Sequence, residues 1–240
     1  MEKKNIAANL ILALCAIVFS TSCGTGKVPE AGSAEAAAQL QKDLKGTYEE
    51  LFSENTSLNP KWDAYWLSEC EKAVGAEAAQ STVEALKASM SGTLTGEAAT
   101  ECFGDGADGW RNGFQFNCDF KQGVSRFVFD GKGGIKGLDA SGNEIFSHEY
   151  VFDSYNADYD FYFFNSKDGN EDEFRCFAMR SDTPAGTHHI EFRYGTDIES
   201  LSEFCTGKYA YWMAAGVLES SDSEQQESIR IFVEENTSQD

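Results

Sequence analysis

The chain has 240 residues, and 40 acidic against 19 basic side chains give a formal net charge of -21 at pH 7. Such acidity repels nucleic-acid phosphate and disfavours docking on anionic lipid, so no nucleic-acid partner is expected. The seven cysteines contain no CxxC or other short metal spacing, which argues against a cysteine zinc knuckle.

The chain opens with Met1, Glu2, Lys3 and Lys4, then an apolar run over 6–19, then Ser20, Thr21, Ser22 and Cys23. The run is too short to span a membrane, which takes about 20 apolar residues. A basic start, a short apolar stretch and small residues before a cut site read as a secretory signal. Small residues ending at a cysteine are the lipoprotein variant. Residues 1–22 would be removed and lipid such as palmitate attached at Cys23. Ser20 stands where that pattern usually has leucine. The competing reading is an ordinary signal peptide, with Cys23 a spare thiol. The expected location is outside the cytoplasm, on a bacterial membrane, on the periplasmic or cell-surface side.

Residues 24–38 are rich in Gly, Ala, Ser and Glu and read as a flexible tether. Residues 23–43 thus hold the tether and the start of a first helix, and one domain occupies 44–240. Over 39–52, Leu40, Leu44, Tyr48 and Leu51 recur every three to four residues, which predicts a helix. Asn59 and Pro60 mark a turn. A second amphipathic segment follows with Trp62, Tyr65, Trp66 and Leu67, and a third over 76–91 with Val83, Leu86 and Met90 on one face.

After Gly92 the texture changes. Alternating runs at 114–120, 126–129, 135–138, 145–152, 159–164, 174–179 and 188–194 are separated by turn residues such as Asp130-Gly131 and Asp168-Gly169. Short strands at regular spacing predict an antiparallel meander. Helices return at 198–204 and 223–235. The order predicts an α+β fold, an antiparallel β-barrel or strongly curved sheet flanked by N- and C-terminal helices. Cys70, Cys102, Cys118, Cys176 and Cys205 remain after export, an odd set that leaves at least one thiol unpaired.

Three histidines exist: His148, His188 and His189. On a strand, His189 and Glu191 share a face and His188 points the other way. An imidazole beside a carboxylate suits zinc, although the same residues also serve as ordinary polar strand positions. The acidic stretches 105–109, 139–144 and 168–173 read as hairpin turns or as calcium loops of irregular spacing.

Residues 184–197, running from Pro184 through His188, His189, Glu191 and Gly195 to Asp197, resemble the signature of the ZinT (YodA) family. Those are bacterial exported zinc-binding proteins with a lipocalin-like barrel, and the domain also occurs fused behind zinc-uptake lipoproteins. The stretch from Leu58 through Trp62 and Asp63 to Trp66 is similar to an upstream family segment. Ser200–Phe204 and Tyr209–Met213 take the places of the helix and aromatic segment that follow the signature. The resemblance spans residues 44–235. It implies a lipocalin-like domain that binds a divalent metal, zinc, and buffers it or passes it to a metal-importer component, without catalysis. His189 and Glu191 would be the first ligands and His188 a reserve, with Asp182 or Glu173 able to add a carboxylate.

The departures fall at the metal. Glu191 replaces the second histidine of the family's His-x-His, and Arg180 stands near a further ligand histidine. Arginine stays charged and cannot ligate. An Arg180–Glu191 salt bridge in place of the ion is therefore the second expectation. The domain would then be a lipocalin-like binding module that has lost the metal and holds a small apolar ligand or a protein partner. A hydrolase using Glu191 with Asp182 is the third.

Overall fold

The computed structural model describes residues 29–51, 56–90, 119–158, 160–181, 189–203, 207–209, 212–218 and 221–237. The signal segment, Cys23, Cys102, Cys118, Asp182, His188, Cys205, the turn at 105–109 and residues 114–118 of the strand expected over 114–120 lie outside them, while Asp119 and Phe120 are described and are not in a strand.

Helix α1 is Ala34–Asp43. Ser33 caps it: its hydroxyl accepts from the Ala36 N–H at 3.1 Å, satisfying an amide that has no partner within the helix. Ala36, Ala37, Leu40 and Leu44 pack on the barrel core. The helix expected over 39–52 thus starts earlier and stops at Asp43, taking residues 34–38 out of the tether. Tyr48 lies instead on strand β1, Gly46–Glu50. The three-to-four spacing of Leu44, Tyr48 and Leu51 is overridden by pairing. β1 has a hydrogen-bonded neighbour on both edges, and context of that kind decides short segments.

A 3₁₀ turn at Pro60–Trp62 leads into α2 (Asp63–Val74) and α3 (Ala76–Met90), joined at Gly75 in a left-handed conformation, φ +83°. Both helices were expected. With the terminal helix α5 (Asp222–Thr237) they bury Trp62, Trp66, Cys70, Val83, Leu86, Ile229 and Val233 as a second core beside the barrel. The Trp62 Nε1–H donates to Gln225 Oε1 at 3.0 Å, and the Trp66 Nε1–H to the Thr56 carbonyl at 3.2 Å, so neither buried indole N–H is wasted. Among the described residues no helix is long and apolar enough to cross a membrane.

The remaining strands are β2 (Arg126–Phe129), β3 (Gly134–Leu138), β4 (Glu144–Asn156), β5 (Phe161–Ser166), β6 (Cys176–Ser181), β7 (His189–Gly195) and β8 (Ala214–Leu218). The short helix α4, Ile198–Ser202, lies between β7 and β8. Each strand pairs antiparallel with the next and β8 pairs with β1, so the described strands form a closed eight-stranded barrel. The α+β barrel expectation holds. β8 is an addition: Ala-Ala-Gly-Val-Leu has no polar alternation to announce it.

Ring contacts show which side chains fill the interior. Phe127 on β2 and Phe177 on β6 are four strands apart around the barrel, yet their centroids lie 5.9 Å apart. Phe127 also meets Phe192 at 4.9 Å, Tyr194 at 5.2 Å and Phe146 at 6.0 Å. Aromatic edges and faces therefore pack the lumen at this level, the arrangement that favours rings at these separations. By alternation Ile190, Phe192 and Tyr194 point inward, and His189, Glu191 and Arg193 outward.

The two barrel ends differ. At one, formed by the β2–β3 and β4–β5 turns, α1 lies across the opening. The Gly32 N–H donates to the Tyr162 hydroxyl at 3.2 Å, and Gln41 reaches Gly133. At the other, the β5–β6 loop folds back and Phe174 stacks on Phe146 at 4.0 Å. Phe174 also stacks on Tyr194 at 5.4 Å, and its carbonyl accepts from the Tyr150 hydroxyl.

Candidate functional site

The β6–β7 register places Arg180 opposite Glu191. Arg180 Nε donates to Glu191 Oε2 at 2.8 Å, and Nη2 donates to the same oxygen. The guanidinium carbon also lies 5.3 Å from the centroid of the Phe161 ring. Only 21% of the arginine side chain and 13% of the carboxylate are exposed. Shielding of that degree makes the pair stronger than a surface ion pair. His189 is buried on the same outward face, opposite Val217 of β8. The structure thus brings His189 and Glu191 to one side of the sheet, as their spacing predicts, with the carboxylate held by Arg180.

A divalent ion at this pair would displace a seated guanidinium and then stand beside its fixed charge. Zinc takes three or four ligands, and His189 with Glu191 supplies two. Glu173 sits at the opposite barrel end, in the β5–β6 loop. There it accepts from Lys208 Nζ at 2.5 Å and from the Tyr209 hydroxyl at 2.9 Å. The Lys208 ammonium, then Tyr209, holds its carboxyl below the usual range. Among the described residues no group of three or more His, Cys, Asp or Glu side chains is placed to hold a metal. Among the described residues the donor set does not fit the ion; His188 and Asp182 lie outside them.

A second constellation was not visible in the sequence. His148, on the inward face of β4, is buried. Its Nδ1 lies 3.0 Å from Asp168 Oδ2 and its Nε2 3.0 Å from Asp172 Oδ2. The ring can donate to both carboxylates only with both nitrogens protonated. β4 makes this possible by its length. Its later half pairs with β5, while its earlier half runs past the end of β5, and the β5–β6 loop lies along it. The Lys167 N–H donates to the Glu149 carbonyl at 2.7 Å. Each carboxylate is engaged by its own ring nitrogen on opposite edges, so the three groups clasp the loop rather than converge on a common point.

Arg193 is the other residue that sequence reasoning passed over. It is 1% exposed and donates to the carbonyls of Leu201, Glu203, Tyr209 and Trp212. These contacts tie the β7–β8 crossing to the outer face of β7, serving structure rather than ligand. The stretch 139–144 is turn chemistry: Asp139 Oδ1 accepts from the Ser141 and Asn143 N–H groups, each at 2.8 Å. Cys70 and Cys176 are buried free thiols, each pushed up to about 11 by burial.

Fold and site together define a closed, aromatic-filled, up-and-down antiparallel barrel with an arginine–carboxylate pair on its outer face. No protein-family model matches the chain, and no curated protein matches it in sequence. Among solved structures, the zinc-bound ZinT-like domain of AdcA from Streptococcus pneumoniae is similar, with a TM-score of 0.47 and 10% identity over 81% of this chain and 89% of that one. Zinc-bound AdcA from the same organism gives 0.44 and 11%, over 86% of this chain and 40% of that longer one.

Proposed function

We propose that this chain is an exported, lipid-anchored binding protein without catalytic activity, whose barrel engages a protein partner through its outside surface and has dispensed with a metal at the His189–Glu191 pair. The observation that carries the reading is the guanidinium of Arg180 on Glu191. It supplies the positive charge that an ion would otherwise bring to that carboxylate. The packed lumen around Phe127 supports an outside surface over an apolar ligand held within. Export and anchoring rest on residues 1–23.

A second reading keeps the metal. His189 and Glu191 do share a face, and residues 184–197 resemble a zinc-binding signature. In that case Arg180 swings away, His188 completes the set, and the protein buffers zinc or hands it to an importer component.

Calorimetric zinc titration of residues 24–240 separates the two. A flat wild-type titration, with saturable binding gained in Arg180→His, is the result expected of a pair whose metal was replaced. Saturable one-to-one binding by the wild type, lost in His189→Ala and in Glu191→Ala, would establish the second reading instead.

A further inference from the structure

We infer that the α1 end of the barrel faces the membrane and that the opposite end, with the His148 clasp, is held away from it. This orientation rests on the lipid anchoring at Cys23 proposed above. Its argument is one of chain length. A free tether over 24–38 would reach roughly 50 Å at ~3.5 Å per residue. A domain of this size has a radius of gyration of about 16 Å and is thus roughly 40 Å across. On such a tether the barrel could present any side to the bilayer.

The fold removes most of that slack. The Ser33 N–H donates to the Glu30 carbonyl at 3.1 Å, and the Gly32 N–H to Tyr162 as described. A Cβ at position 32 would lie 2.6 Å from the Tyr155 ring, and Gly32 has a φ of +77°, so glycine is the residue that fits. The chain is therefore fastened to the barrel wall at Gly32, with Glu30 tied to it by the turn. Whatever path residues 24–28 take, the six peptide steps from Cys23 to Pro29 reach at most ~21 Å. That is about half the width of the domain. The corner at Gly32, Tyr155 and Tyr162 must stay close to the lipid, and with it the β2–β3 and β4–β5 turns. By the antiparallel order, the β3–β4 turn and the β5–β6 loop belong to the far end.

Charge does not produce this orientation. The near end carries Lys42, Lys45 and Lys132 against Glu35, Asp43, Asp130, Asp158 and Asp160. It offers no net attraction to anionic headgroups. A geometric leash should be indifferent to salt, whereas an electrostatic contact would weaken with it.

The test uses the full, lipidated chain in vesicles of phosphatidylethanolamine and phosphatidylglycerol containing a headgroup-linked acceptor dye. A donor is attached through a non-natural residue at Asp158, in the near β4–β5 turn, or at Ser141, in the far β3–β4 turn; both positions are exposed. Transfer should be severalfold more efficient from 158 than from 141, at low and at high salt. Inserting about twelve Gly/Ser residues after Gly26 lengthens the leash and should abolish the difference. Equal transfer from the two positions, or a difference that survives the insertion, overturns the orientation while leaving the anchor intact. Wild-type protein that does not float with the vesicles, or Cys23→Ala protein that floats as well as wild type, removes the anchor and the orientation with it.

Discussion

His148 and His189 are both buried and both on strands, the one between two carboxylates and the other on the same strand face as Glu191, yet their surroundings differ. At His189 the neighbouring Glu191 has gone to an arginine across the β6–β7 hairpin. At His148 two aspartates from one loop take the two ring nitrogens. A histidine beside a carboxylate in the sequence announces less than the third group that settles on that carboxylate. At β7 the third group is a cation and the arrangement is a salt bridge. At β4 no cation takes the first aspartate; a second acid takes the other ring nitrogen, and the arrangement is a clasp.

If the clasp is a structural device and the β7 pair a local one, truncations should separate them by size. Phe174→Ala should cost most, about 3–4 kcal/mol in urea unfolding, because it opens a cavity between Phe146 and Tyr194 and loosens the loop. His148→Ala should cost about 2 kcal/mol, since it removes a buried ring packed against Phe146 and leaves a cavity under the loop. Loss no larger than that of a surface substitution would show the clasp to be incidental. A double-mutant cycle on Arg180→Ala and Glu191→Ala should return a coupling of about 1–2 kcal/mol, and a value near zero would remove the case for a charge substitute.

The smallest effect is pH-dependent. A carboxyl held low in the folded state stabilises above its unfolded value and loses that contribution as pH falls through the lower, folded one. Glu173, held down by Lys208, should therefore contribute at neutral pH and lose that contribution as pH falls from the ordinary glutamate value, about 4.3, through its own lower one. Glu173→Gln should flatten that acid limb while removing less than about 1 kcal/mol at neutral pH.

Much of the barrel could be read in advance because its strands alternate. Phe127 and Phe129, or Phe146, His148 and Tyr150, declare an inner face two residues at a time. α2 and α3 declared themselves through Trp62, Trp66, Val83 and Leu86. β1 was hidden because Leu44, Tyr48 and Leu51 satisfy a helical period by chance. β8 was hidden because small residues carry no pattern. The Arg180–Glu191 contact was legible once a hairpin was granted, since register alone joins the two. The clasp was not, because Asp168 and Asp172 reach His148 only through the path of a loop and the overhang of β4. Arg193 gave no signal beyond being one more polar side chain on the His189–Glu191 face of β7, and its carbonyl partners are scattered through an irregular crossing.

Closure of the barrel depends on β1 meeting β8, one near the beginning of the chain and the other near its end. Until the last strand arrives, β1 has an open edge and the ring cannot shut. Contacts so distant in sequence delay folding, because a long loop must be closed before they form. A chain emerging N-terminus first from a narrow passage would stay incompletely folded until nearly all of it was through. The same pairing that seals the finished molecule would thus keep the unfinished one threadable.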